Sequence, residues 1–163
     1  MYRLILRLWR LVVRVPGMEI LLLRLFNARF IVGSSGVILD DAGRVLLFHH
    51  TYRRKYAWGL PGGWMKAGEK AAAALAREVA EESGLAVDVI APLLVDTLPK
   101  RAVIENIFLA RFVGGTFLPS AEVDECRWFD EDLPRDMKPL QKRIVEAARR
   151  LTSENRLPGR IDV

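Results

Sequence analysis

Between Glu69 and Ser83 the chain carries neither glycine nor proline, and alanine dominates. Local propensity alone prescribes an α-helix there, and Gly84 stands where a left-handed C-terminal glycine would end it. Such a helix must bury one face, and Ala72, Leu75, Ala76 and Val79 supply an apolar one. The sheet it would pack on is legible on both sides. Phe30–Leu39 is apolar and β-branched, Asp40-Asp41-Ala42-Gly43 makes a turn, and Arg44–His49 resumes as a second strand, which together read as a hairpin. Residues 86–97, 102–113 and 126–129 read as further strands, and residues 136–151, after Pro134, as a closing helix. Strands flanking a central helix, with a second helix at the end, indicate an α/β fold, a sandwich on a mixed sheet.

The chain has 163 residues, enough for one well-buried domain. Its net charge of +5 resides in the first 30 residues, where Arg3, Arg7, Arg10, Arg14, Arg24 and Arg29 face one acid, Glu19. The rest is balanced, so a general nucleic-acid surface is not expected. Cys126 is the single cysteine, which excludes an internal disulfide and fits a small apolar side chain beside Trp128 in a reducing cytoplasm. Two parts are expected: residues 1–29, a basic amphipathic helical segment, and residues 30–163, the main domain.

Glu78, Glu81 and Glu82 lie at i, i+3 and i+4, within a sector of about 100° on the predicted helix. Like charges at this spacing repel, and they stand near the end where the helix dipole disfavours negative charge. A divalent cation would turn both penalties into attraction, and an all-oxygen set suits Mg²⁺ or Mn²⁺. The plainer alternative is a solvated acidic face balanced by Arg77 and Lys70.

The flanking residues favour the cation. Gly63, Glu69, Arg77, Glu78, Val79, Glu81, Glu82, Gly84 and Leu85 together resemble, without a gap, the box of the Nudix (MutT-like) hydrolases. The resemblance is strong over residues 61–85, weaker to Leu151, and absent from residues 1–29. It implies a Nudix-like α/β/α sandwich with a mixed β-sheet, in which the box forms a loop-helix-loop. It also implies a pyrophosphohydrolase acting on a nucleotide-like small molecule. Glu82 and Glu78 would be the principal metal ligands, Glu81 close by, and the Gly63 carbonyl a further one. Arg77 would orient a glutamate rather than touch substrate, and Glu69 would hold the loop by hydrogen bonds. The base that activates water would come from the box, Glu81, or from a later loop, where Glu122 is the leading candidate ahead of Glu125 and Glu105.

Upstream of the box, Tyr52, Arg53 and Trp58 are candidates for substrate: guanidinium for phosphate, aromatic rings for a base. His49 and His50 lack a third ligand for zinc. Pro99 lies near a proline of ADP-ribose hydrolysing relatives, though not clearly at its place. The resemblance implies cleavage of a diphosphate bond in a nucleoside diphosphate linked to another moiety, ADP-ribose or sugar-nucleotide type slightly favoured. A nucleotide-binding regulatory module and a nucleoside triphosphate or RNA 5′-end pyrophosphohydrolase are the alternatives. In the first segment, arginines four, three and four apart fall on one stripe opposite Leu4, Ile5, Leu8, Trp9, Leu11, Val12 and Val15, with Pro16-Gly17 as a break. That face suits an anionic membrane surface, the chain's own domain, or a second copy in a homodimer. Neither apolar run reaches the roughly 20 residues a spanning helix needs.

Overall fold

The computed structural model describes Tyr2, Trp9 and residues 14–98 and 101–154. Two compact units separate at Phe30. The first contains α1 (Met18–Phe26), preceded by Gly17 in the left-handed region, φ 81°, with Glu19 in its first turn and Arg24 in its last. Those charges match the helix dipole. Arg3, Arg7 and Arg10 and most of their apolar partners lie outside the described residues. No helix among the described residues is long and apolar enough to cross a membrane.

The second unit is built on a seven-stranded mixed sheet: β1 (Ile31–Leu39), β2 (Val45–His50), β3 (Trp58–Gly59), β4 (Gly62–Trp64), β5 (Leu85–Leu98), β6 (Val103–Gly115) and β7 (Val123–Phe129). Two helices complete it, α2 (Ala71–Ser83) and α3 (Pro139–Ser153). β1 runs parallel to β6 over its whole length, and all other pairs are antiparallel. The expected hairpin is present: Asp40 closes it by accepting the Ala42 and Arg44 amides on its carboxylate. β5 carries Pro92 without harm because it is the edge strand beyond β6 and its pairing shifts register there.

Every residue from Gly33 to Leu39 of β1 is buried, as are Val45–Phe48. Alternate side chains leave by opposite faces, so one strand feeds two cores. Val37, Leu39, Val45, Leu47, Ile107 and Leu109 pack with Met137, Val145 and Ala148 of the closing segment. Ile38, Leu46, Phe48, Ala110 and Val123 pack with Leu75 and Val79 of α2. Each large apolar side chain so buried contributes roughly 1.5–3 kcal/mol. This is the α/β sandwich read from the sequence, with helices on both faces of a mixed sheet.

Two boundaries differ from the reading of the sequence. The central helix starts at Ala71, not Glu69, because the Glu69 carboxylate turns back to accept the Lys66 amide at 3.0 Å. The closing helix starts at Pro139, not at residue 136. Asp136 is engaged elsewhere, accepting the Tyr56 and Ala57 amides at 2.6 and 2.9 Å, and Met137 is buried in the core. The buried face of α2 also differs. It runs through Ala74, Leu75, Val79, Glu82 and Ser83, while Ala72 and Ala76 are only half-buried.

β1 and β2 share only the pairs Ile38–Leu46 and Leu39–Val45. Before them, the same edge of β1 pairs with β4 instead, Ser34 with Gly63 and Ser35 with Gly62. β3 takes the matching place beside β2. The Leu60–Gly63 segment thus fills the opening between diverging strands. Gly62 has φ 140°, and a Cβ there would lie 2.2 Å from the Ser34 carbonyl oxygen. Gly62→Ala is therefore expected to destabilise the protein by about 2 kcal/mol or more, since both conformation and space forbid a side chain. Urea denaturation checks this; a midpoint within error of the parent would show that the backbone does not need glycine.

Candidate active site

The acids of α2 meet the glycines of β4. Ser34 Oγ donates to the Ala71 carbonyl at 2.7 Å, tying the first turn of the helix to β1. A Cβ on Gly63 would lie 2.5 Å from the Glu78 carboxyl carbon, so this carboxylate occupies the space a side chain would need. One turn further, Glu82 is 7% exposed, accepts the Gly62 amide, and leaves Oε2 buried without a hydrogen-bond partner. Its pKa is pushed up to about 7, first by burial and then by the charges of Glu78 and Glu122, against Arg53 and the Gly62 amide.

Arg77 organises the other acids. Its Nε and Nη2 hold Glu69 at 2.7 and 2.9 Å, Nη2 also meets the Trp64 carbonyl at 3.0 Å, and Nη1 reaches Glu78 at 2.7 Å and Glu81 at 2.9 Å. All five guanidinium donors are used. Hydrogen bonds from Arg77 and the Lys66 amide hold the Glu69 carboxyl at about 2, and the same network pushes Arg77 further up. Glu81 is half-exposed and turned toward Arg77 and Lys66, whose Nζ stands 3.3 Å away. The three glutamates therefore split: Glu78 and Glu82 face the glycines, while Glu81 joins the network around the arginine.

These groups stand behind a cleft of about 880 Å³ lined by Ser34, Ser35, Tyr52, Arg53, Gly62, Gly63, Trp64, Glu105 and Glu122 among others. Glu122 comes from the loop before β7. Thr51 fixes that loop, donating Oγ1–H to the Ala121 carbonyl at 2.7 Å and its amide to the Glu122 carbonyl. Glu105 also lines the cleft and accepts the Ser35 hydroxyl at 3.0 Å. Glu125 does not; it pairs with Arg127. Trp58 is likewise absent from the cleft wall. It packs against the core below α3, edge-on to Phe129, with the Arg127 guanidinium over its ring. Cys126 is half-buried and packs with Trp128 against the α2-side core. Pro99 lies outside the described residues.

The cleft also gathers residues that sequence reading missed: Arg101, Lys138 and Gln141. A helix beginning three residues early hides that Lys138 is its N-cap, and nothing local links residue 138 to residue 53.

Hard oxygen donors suit Mg²⁺ or Mn²⁺ here. Among the described residues, no three Asp, Glu, His or Cys side chains form a complete chelating group. Two carboxylates with a nearby backbone carbonyl still match the habit of Mg²⁺, which keeps waters and takes the remaining oxygens from substrate phosphate. The buried, unpartnered Oε2 of Glu82 is the atom such an ion would satisfy.

Comparison with known proteins bears on the same residues. A family model described as the NUDIX domain matches residues 29–152. The 8-oxo-dGDP phosphatase NUDT18 of Danio rerio is 36% identical over 117 residues, covering 69% of this chain and 35% of that protein. The ADP-ribose pyrophosphatase of Methanocaldococcus jannaschii is 31% identical over 109 residues, 64% of each chain. The chain thus spans less than two thirds of the length of either curated relative. A solved ADP-ribose pyrophosphatase from Streptococcus suis has a TM-score of 0.62 at 26% identity, covering 73% of this chain and 92% of that one.

The raised pKa of Glu82 has a consequence for stability. An unfolded glutamate ionises near 4.5, whereas this one holds its proton until about 7. Between those values the unfolded state loses protons first, so stability falls as pH rises, and levels off above about 7. The cost is of order 3 kcal/mol. In a chelator, the parent should be less stable at pH 8 than at pH 5 by about that amount relative to Glu82→Gln, which removes the charge. Mg²⁺ at pH 8 should restore the parent alone. Parallel pH profiles for the two proteins would refute the buried-charge assignment.

Proposed function

The chain belongs to the Nudix family, and from that premise we propose that it hydrolyses the diphosphate bond of a nucleoside diphosphate linked to another moiety, with Mg²⁺ or Mn²⁺. The observation that carries this reading is the buried, unpartnered Glu82 oxygen beside Glu78 and within the field of Glu122, at a cleft with cationic side chains. Glu82, Glu78 and the Gly63 carbonyl would hold the cation. Bound there, it would neutralise diphosphate oxygens and acidify a water molecule.

The protein's own groups do the rest. Glu122, exposed on its loop and facing the cleft, takes the proton of the attacking water; Glu81 is the second choice, since Arg77 and Lys66 already engage it. Arg77 is a positioning residue that fixes Glu78 and the loop through Glu69 and the Trp64 carbonyl. Arg53 meets phosphate, and Tyr52 and the exposed Trp64 offer ring faces for a base.

Relatives of two kinds support different readings of the substrate. The ADP-ribose pyrophosphatases support ADP-ribose or a sugar nucleotide. The more identical relative, an 8-oxo-dGDP phosphatase, favours a free nucleoside diphosphate bearing an oxidised base as the second reading. For residues 1–29 we retain peripheral contact with an anionic membrane surface or a second copy of the chain, in the cytoplasm. Pelleting with anionic liposomes at moderate salt, lost on removal of residues 1–29, supports the membrane; equal pelleting without them counts against it.

Turnover decides the main reading. Purified protein with Mg²⁺ or Mn²⁺ is offered ADP-ribose, sugar nucleotides, 8-oxo-dGDP and nucleoside triphosphates, and products are resolved by chromatography. Selective cleavage should fall more than about 100-fold in Glu82→Gln, and about 10–100-fold in Arg77→Ala, whose effect is indirect. Arg77→Lys should not rescue, because an ammonium cannot reproduce the five-donor fork. Near-normal turnover in Glu82→Gln would sink the site; silence of the parent across the panel would favour a binding module.

A further inference from the structure

The wall of the cleft opposite the acids is built against the usual electrostatic rules. Lys138 is the N-cap of α3, it makes no side-chain cap, Pro139 follows it, and the first turn holds no acid. A cation at the positive end of a helix is unfavourable, and the first amides there lack intrahelical partners. Two more cations, Arg53 and Arg101, line the same cleft. Burial first, and then the charge of Arg53, lower the pKa of Lys138; Arg101 adds to this and Glu105 alone opposes it. The residue stays open to water while its ammonium is crowded by the concave wall.

The polar groups around these cations are also incomplete. Arg53 Nη1 is buried with no hydrogen-bond partner. Gln141, 8% exposed and on the cleft wall, has Oε1 without one. Both atoms border the space above Gly59: a Cβ there would lie 2.5 Å from Arg53 Nη1, 3.4 Å from Gln141 Oε1 and 3.5 Å from His50 Nε2. His50 is fully buried with both ring nitrogens unpartnered. Burial and the neighbouring cations hold its pKa near 3, so the ring adds no positive charge at neutral pH. A cationic donor therefore stands beside an unpartnered amide oxygen and a neutral imidazole at a place partly shielded from water.

We propose that Lys138, Arg53, Arg101 and Gln141, at the N-terminus of α3, form an anion subsite that takes a phosphate group of the substrate independently of the cation on the opposite wall. The subsite deepens the diphosphate-hydrolase reading and, for its role in turnover, rests on it. An anion there neutralises the crowded cations and the helix terminus together. The Gln141 amide, flanked by Arg53, turns its NH₂ or its oxygen to the bound group according to whether that oxygen is ionised or carries a proton. The substrate is then gripped at two points, one phosphate by the cation and one by this wall, which sets the linkage across the cleft toward Glu122.

The test uses the full chain in excess chelator, so that the metal site cannot bind. Inorganic pyrophosphate and, separately, inorganic phosphate are titrated by calorimetry against the parent, Lys138→Met, Lys138→Arg and Glu82→Gln. The parent and Glu82→Gln should bind pyrophosphate, with affinity falling steeply with salt. Lys138→Met should lose about tenfold or more, and Lys138→Arg should keep most of it. No binding to the parent, or equal binding to Lys138→Met, overturns the subsite. In turnover, Lys138→Met should raise KM more than it lowers kcat; an unchanged KM in an active enzyme also overturns it and leaves the hydrolase reading intact. Chelator-resistant, Lys138-dependent binding in a protein that turns over nothing would uphold the subsite and count against the hydrolase.

Discussion

A carboxylate withdrawn from water, with one oxygen lacking any partner, is the constraint around which this domain is organised. Glu82 lies on the same buried face of α2 as Leu75 and Val79, so the helix cannot pack without taking the acid with it. Burying an ionised group costs several kcal/mol unless it is paired or stays protonated. Here the compensation is partial: one amide, Gly62, donates to it, and two other carboxylates raise its pKa further. That amide is available only because β4 lies against β1 in the opening between β1 and β2. The close approach in turn requires that Gly62 carry no side chain, and the bare Gly63 beside it leaves the space that the Glu78 carboxylate occupies. Packing, glycine placement and strand divergence are thus one arrangement seen from three sides.

Arg77 shows how the arrangement is kept from collapsing. Four acids sit close together on a loop and one helix, and the arginine engages three of them, leaving Glu82 out. A cation that bound Glu82 as well would leave nothing to attract a metal. The bidentate grip on Glu69 anchors the loop before α2, and the bond to the Trp64 carbonyl anchors the strand before that loop. The guanidinium behaves as a structural counter-ion whose reach takes in Glu78 and stops one turn short of Glu82.

This half of the molecule was legible in the chain because its logic is local. The spacing of Glu78, Glu81 and Glu82, the pair Gly62-Gly63 and the C-terminal Gly84 lie within one stretch, and helical periodicity converts sequence distance into geometry. Even so, periodicity could not separate Glu81, which the network around Arg77 draws away, from Glu82, which the core draws in. Trp58 misled for a similar reason. It stands next to the glycines, but β3 pairs with β2 and directs that ring into the core rather than the cleft. Beyond Arg53, the opposite wall was illegible because its parts are far apart in sequence. Arg53, Arg101, Lys138 and Gln141 come from two loops and a helix start, and Asp136, which joins two of those parts, reads locally as a helix-start acid.

The two walls complement each other through what each lacks. One carries excess negative charge with an unsatisfied acceptor, the other excess positive charge with an unsatisfied donor beside an unsatisfied amide oxygen, and both border one cleft of about 880 Å³. The chain could have closed this gap with a salt bridge between Arg53 and Glu82, whose fields already overlap. Instead Asp136 holds the Tyr56–Ala57 end of the loop, and Thr51 and the Glu122 loop hold its start, so Arg53 stays on its own side. Keeping opposite charges apart in a half-buried cleft lowers stability. It also leaves the site preorganised for a ligand that is itself a pair: an anion for one wall, and for the other a cation carried in with its own phosphate.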